Sequence, residues 1–63
     1  MTNIEMRQAM DLIQPSVAST WNAVEYARIH CSMLGLNASR YELIELAEEV
    51  NFLVKEYNKG VQS

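Results

Sequence analysis

The chain has 63 residues, a net charge of −3 and one cysteine, and these numbers exclude several classes of protein. One cysteine rules out an internal disulfide, and one histidine beside it argues against a structural zinc site, which needs four ligands. The negative charge opposes binding to DNA or RNA, because phosphate contacts dominate that affinity. We therefore expect no metal, no cofactor and no nucleic acid. A chain this short is marginally stable alone, so we expect a homo-oligomer.

The apolar runs are too short to span a membrane, and we expect no membrane contact. The first residues, Met1 to Glu5, also lack the basic and apolar regions of a signal peptide. These two observations predict a cytoplasmic protein. Cys31 is then expected to behave as a small buried apolar residue rather than as a bridge between subunits.

The first predicted helix runs from about residue 3 to residue 14. Thr2 followed by Glu5 forms a capping box, in which each side chain bonds a free amide of the first turn. Pro15 disfavours a helical conformation at Gln14 and lacks an amide donor. We therefore expect a break at Pro15, and the sequence leaves open a helix that is only kinked there.

The second predicted helix runs from about residue 16 to residue 34 and has apolar side chains on two faces. One stripe consists of Val17, Trp21, Val24, Ala27, Cys31 and Leu34, and the other of Tyr26, Ile29 and Met33. A helix that is apolar on two sides is covered on two sides. We expect the third helix on one face, with Trp21 in the core, and the first helix or another subunit on the other.

The third predicted helix runs from about residue 39 to residue 59. Ser39 and Glu42 form a second capping box, and Gly60 is expected to end the helix in the left-handed conformation. Its buried stripe is Leu43, Leu46, Ala47, Val50, Leu53, Val54 and Tyr57. Gly35 and Leu36 end the preceding helix, and the short connection forces an antiparallel pair. The predicted fold is all-α: an antiparallel helical hairpin with an additional short N-terminal helix, dimeric or larger.

Phe52 is the main candidate for a binding residue. It projects from the solvent face of the third helix among glutamates, on the side toward which Ile44 also points. Aromatic side chains are enriched where partner proteins bind. The partner-binding set predicted from this face is Phe52, Ile44, Glu48, Glu49 and Asn51.

Two arginines and a serine form a second candidate site. Arg28 and Arg40 could hold a phosphate, and Ser39 stands at a helix start whose free amides favour anions. The alternative for Arg28 is that its stem covers the apolar seam while its head pairs with Glu25 or a third-helix acid. The sequence provides no nucleophile and base at facing positions, so it indicates no catalytic residues.

The second half of the chain resembles the small sporulation-regulator phosphatases of the Spo-zero-E type, which are helical hairpins. Their motif is S-Q-E-L-D, and the matching run here starts at Ala47 and ends at Asn51. The turn Gly35-Leu36 and the pattern Val24-Glu25 with Arg28 are also similar. The resemblance implies removal of phosphate from an aspartyl-phosphate on a response regulator.

Within that motif only Glu49 is identical, and Asn51 replaces the aspartate. An amide cannot accept a proton as a carboxylate does, which favours binding without catalysis. A second resemblance, through Ser39-Arg40 before a glutamate-rich helix, is to phage hairpin proteins that sequester cyclic nucleotides. The predicted function is a small non-enzymatic regulator or inhibitor that binds a partner protein. The alternatives are an aspartyl-phosphate phosphatase and a sponge for a nucleotide ligand.

Overall fold

A computed structural model describes residues 1–62 of the chain, and the side chains of residues 1–60. Within this part the structure contains helices and no strand, so the all-α prediction is confirmed. The helices are α1 (Asn3–Asp11), α2 (Pro15–Ala18), α3 (Ala23–Met33) and α4 (Arg40–Gln62). α4 packs against each of the other three, most extensively against α3.

The start of α1 is formed as predicted. The Thr2 hydroxyl accepts a hydrogen bond from the Glu5 amide at 3.1 Å, and the Glu5 carboxylate accepts one from the Thr2 amide at 2.8 Å. This second bond lowers the pKa of Glu5. α1 then ends at Asp11, three residues earlier than expected. The reason is Pro15, which holds Gln14 in an extended conformation and begins α2 at its first position.

The prediction of one helix over residues 16–34 is wrong, because α2 ends at Ala18 and α3 begins at Ala23. The Ser19 and Thr20 hydroxyls donate to the carbonyls of Ser16 and Val17, respectively. Such local bonds compete with helix propagation. The Asn22 side chain then accepts hydrogen bonds from the Val24 and Glu25 amides and caps α3.

The hairpin between α3 and α4 is closed by a glycine cap, as predicted. Gly35 is left-handed, with φ of 72°. The Gly35 amide donates to the Ser32 carbonyl and the Leu36 amide to the Cys31 carbonyl, which is the pattern of a Schellman motif. Leu36 is half-buried against the core. This turn returns the chain so that α4 packs on α3.

α4 begins with the second predicted capping box. The Glu42 carboxylate accepts from the Ser39 amide at 2.8 Å, and the Ser39 hydroxyl accepts from the Glu42 amide at 3.3 Å. The amino group of Met1 lies 2.7 Å from the same carboxylate. This ion pair lowers the pKa of Glu42 and raises that of the Met1 amine. It links the start of the chain to the start of α4.

The far end of α4 differs from the prediction, because the helix continues through Gly60 to Gln62. Among the described residues Gly35 is the glycine with a positive φ, so Gly60 is not a left-handed cap. Glycine permits that conformation without requiring it. Apart from its chain neighbours and the backbone of α4 itself, no described atom lies within 4 Å of the position that a Cβ at Gly60 would occupy.

The core lies between α4 and the three shorter helices and is built from small side chains. The buried residues in the described part of the chain are Ala9, Ile13, Ala18, Ala27, Cys31, Leu46, Ala47 and Val50. Among them Leu46 and Val50 are the largest side chains that are fully buried. Leu53 and Val54, predicted on the same stripe, are half-buried against this cluster. The predicted face of α4 is therefore the one that packs as far as Val54, but the prediction is wrong for Tyr57, which is 40% exposed.

Candidate functional site

The side of α4 that is turned away from the core carries a row of exposed apolar side chains. We call these apolar residues, together with the glutamate between them, the α4 outer face: Tyr41, Ile44, Glu48 and Phe52. Tyr41 is 81% exposed, Ile44 47% and Phe52 57%. Residues at spacings of three and four lie along one side of a helix, so the row is continuous. Exposed charged side chains surround it: Glu45, Lys55 and Glu56.

The predicted partner-binding residues divide between two places. Ile44, Glu48, Asn51 and Phe52 are exposed on or beside the α4 outer face. Glu49 is half-buried and instead lines a cleft of about 420 Å³ between α4 and α1, together with Arg7 and other residues. Tyr41 was not predicted as a binding residue. Its spacing of three residues before Ile44 was the signal that could have identified it.

The groups of the predicted anion site are engaged in local contacts. Arg28 forms an ion pair with Glu25 one turn before it on α3, as the alternative interpretation of Arg28 expected. The Ser39 amide and hydroxyl are both bonded to Glu42 in the capping box. Arg40 is the first residue of α4 and is exposed. Binding of a phosphate by this set stays a prediction.

An open apolar groove lies beside α3. The sequence predicted one of its walls, the stripe of Tyr26, Ile29 and Met33, but not the groove itself. It has a volume of about 490 Å³ and is lined by Leu12, Gln14, Val17, Trp21, Tyr26, Ile29, His30, Met33 and Leu34. None of these side chains is an aspartate, glutamate, lysine or arginine, and none belongs to α4. We call this set the apolar groove.

Trp21 shows why the groove could not be predicted. The sequence placed Trp21 in the core, on the stripe that includes Ala27 and Cys31, and this prediction is wrong because Trp21 is 51% exposed. The break between α2 and α3 puts Trp21 in the turn, out of phase with α3. Ile29 and Met33 are 39% and 83% exposed, so α1 leaves much of the second stripe uncovered.

The wall of the groove is built by two stacked rings one turn apart on α3. The rings of Tyr26 and His30 have centroids 5.4 Å apart and an angle of 17° between their planes. His30 Nε2 donates to the Ala9 carbonyl at 2.7 Å, and the Tyr26 hydroxyl accepts from the Gln14 amide at 2.9 Å. Carbonyls near a helix end lack intrahelical partners. His30 therefore caps the end of α1, while Tyr26 holds the Gln14 amide just before α2, and together they fasten this part of the chain to α3.

The arrangement offers little for covalent chemistry. His30 is engaged with the Ala9 carbonyl, and burial raises the pKa of the neighbouring Cys31 thiol. A raised pKa keeps a thiol protonated, whereas a nucleophilic cysteine needs the thiolate. Within the described residues, no group of three or more His, Cys, Asp and Glu side chains is placed to hold a metal ion.

Comparison with known proteins adds no assignment: no protein family, curated protein or solved structure matches this chain. A membrane span is a separate question. In the part of the chain that the structure describes, no helix combines the length and the apolar character needed to cross a bilayer. The α4 outer face and the apolar groove are therefore the two surfaces from which a function can be argued.

Proposed function

We propose that this protein is a small non-enzymatic regulator that acts by binding a partner protein through the α4 outer face. The observation that carries the proposal is the exposure of Tyr41, Ile44 and Phe52 in one row on a capped helix. Aromatic side chains on a rigid element lose little conformational entropy on binding, and they dominate the energy of many interfaces.

The charges around this row indicate the chemistry of the partner. Glu45 and Glu48 are exposed beside Ile44 and Phe52, whereas Glu56 is paired with Lys59 at 3.8 Å. A partner surface with an apolar pocket and a rim of lysine or arginine would match this pattern. Charge complementarity of this kind increases the association rate and discriminates between partners. The proposal places the protein in the cytoplasm, where the free thiol of Cys31 would stay reduced.

The phosphatase alternative receives less support from the geometry. The resemblance assigns the chemistry to neighbouring positions of one motif, yet Glu49 is half-buried in the cleft beside α1 while Asn51 is exposed. The nucleotide-sponge alternative relies on Ser39 and Arg28, both of which have local partners. Neither alternative has an observation that favours it over partner binding.

The test compares capture of cytosolic proteins from the source cells by three immobilised variants: wild type, Phe52→Ser and Tyr57→Ser. Tyr57 is a matched control, because it is a 40%-exposed aromatic residue on the same helix but outside the α4 outer face. We expect one protein to be retained by wild type and Tyr57→Ser and lost by Phe52→Ser. The captured protein, once purified, should bind Phe52→Ser at least about tenfold more weakly, or about 1.4 kcal/mol.

Two results would contradict the proposal. One is equal affinity of wild type and Phe52→Ser for the purified partner. The other is release of phosphate from a phosphorylated receiver domain in a manner that depends on Glu49 and Asn51, which would support the phosphatase alternative. Thermal unfolding of Phe52→Ser serves as the folding control, and a surface change of this kind should alter stability by no more than about 0.5 kcal/mol.

A further inference from the structure

We propose that the apolar groove is covered by a second copy of this chain, so that the protein is a two-fold symmetric dimer. This inference is independent of the partner proposed for the α4 outer face. It rests on the size of the core, the chemistry of the groove and the area that the groove exposes.

The single chain buries too little apolar surface for its composition. Hydrophobic residues make up 49% of the sequence, yet half of the buried residues in the described part are alanines. A folded monomer of 7.2 kDa is expected to expose about 4,100 Å². This chain exposes 4623 Å². The difference is about the size of one large apolar patch, and the exposed apolar side chains of the groove contribute to it.

The lining of the groove has the composition of an interface between identical subunits. Seven of its nine residues are apolar or aromatic, and the remaining two are Gln14 and His30. His30 is already bonded to a backbone carbonyl. Obligate homodimer interfaces resemble a domain core cut in half, whereas transient interfaces are about as polar as the rest of the surface. The absence of charge in the groove matches the first class.

The exposed area is also close to what a dimer needs. Six apolar residues of the lining are between 37% and 83% exposed and leave a substantial area uncovered. They are Leu12, Val17, Trp21, Ile29, Met33 and Leu34. We place this area on the order of 600 Å², against roughly 800 Å² per partner in a standard-size interface. Including the polar rim, a second copy would cover the groove at this scale.

The shape of the groove permits a closed pair. Met33, 83% exposed, is the most exposed of the lining apolar residues. In a two-fold interface the same patch meets itself, so Met33 of each subunit would enter the groove of the other. Methionine fills irregular apolar space well. Because no lining residue belongs to α4, the dimer would leave both α4 outer faces free and would present two equivalent binding helices.

The test uses Trp21, the only tryptophan of the chain, as a probe inside the groove. Sedimentation equilibrium of the full chain should show a dimer at tens of micromolar. On serial dilution, the Trp21 emission should shift to longer wavelength over the same concentration range in which the dimer dissociates. A dimer whose Trp21 emission is unaffected by dissociation would place the interface elsewhere and overturn the proposal.

Two variants with the same change in charge locate the interface. Met33→Lys should weaken dimerisation at least tenfold, because two lysines would be placed in an apolar interface. Ile4→Lys is the control, since Ile4 is 71% exposed and does not line the groove. It should dimerise as wild type does, and circular dichroism should show both variants folded.

The proposal fails if wild type is monomeric at 100 µM, if both variants dimerise equally, or if Phe52→Ser dissociates the dimer while Met33→Lys does not. A monomer that binds an apolar dye in the groove would assign the groove to another partner.

Discussion

α4 and the segment from Pro15 to Met33 have similar apolar spacing, yet they fold differently. α4 is one helix of 23 residues, whereas the other segment is divided into α2 and α3 by a turn. α4 contains no serine, threonine or proline, and the turn consists of Ser19, Thr20, Trp21 and Asn22. The comparison teaches that apolar spacing selects the buried face, while polar side chains that bond to nearby backbone decide whether a helix continues.

The largest expected effect comes from the centre of the buried face of α4. Leu46 is fully buried, whereas Leu53 on the same stripe is half-buried. Leu46→Ala should reduce the free energy of unfolding by about 2–5 kcal/mol, because it removes buried methyl groups and leaves a cavity. Leu53→Ala should cost clearly less. Urea denaturation of both variants measures the difference, and an equal loss would mean that the core extends further along α4 than the structure shows.

A smaller effect is expected at the break that separates α2 from α3. Asn22→Ala removes the side chain that accepts from the Val24 and Glu25 amides, and should cost about 1 kcal/mol. Ser32→Ala, on the exposed side of α3, is the control and should change stability by no more than about 0.5 kcal/mol. If Asn22→Ala instead raised both stability and helix content, the one-helix prediction would be the better description of this segment.

Effects no larger than that of Asn22→Ala, and of opposite sign to each other, are expected at the two glycines. Gly35 has a positive φ, so Gly35→Ala should lower stability by about 1 kcal/mol. Gly60 lies inside α4 with free space at its Cβ position, so Gly60→Ala should raise stability by up to about 1 kcal/mol. Thermal unfolding of the two variants gives the signs directly. A loss of stability in Gly60→Ala would restore the left-handed cap expected from the sequence.

The elements that were predicted correctly depend on residues close together in the chain. Both capping boxes, the break at Pro15 and the cap at Gly35 each need only a few neighbouring residues. The exposure of Phe52 and Ile44 followed from helical phase alone. The spacing of Asn22 three residues before Glu25 is the signal that could have identified this cap, but the prediction followed the apolar stripe through Trp21.

The sequence by itself determined the helical class, the hairpin turn and the face of α4 that is buried, because these follow from local backbone chemistry and from helical periodicity. The apolar groove depends on the tertiary structure, because its lining comes from α2, α3 and the segments that flank them, whose relative placement depends on distant contacts. The bonds from His30 to Ala9 and from Tyr26 to Gln14 span 21 and 12 residues, respectively. No local pattern encodes such bonds, so the groove as a whole, beyond its predicted stripe of Tyr26, Ile29 and Met33, became visible only after the chain was folded.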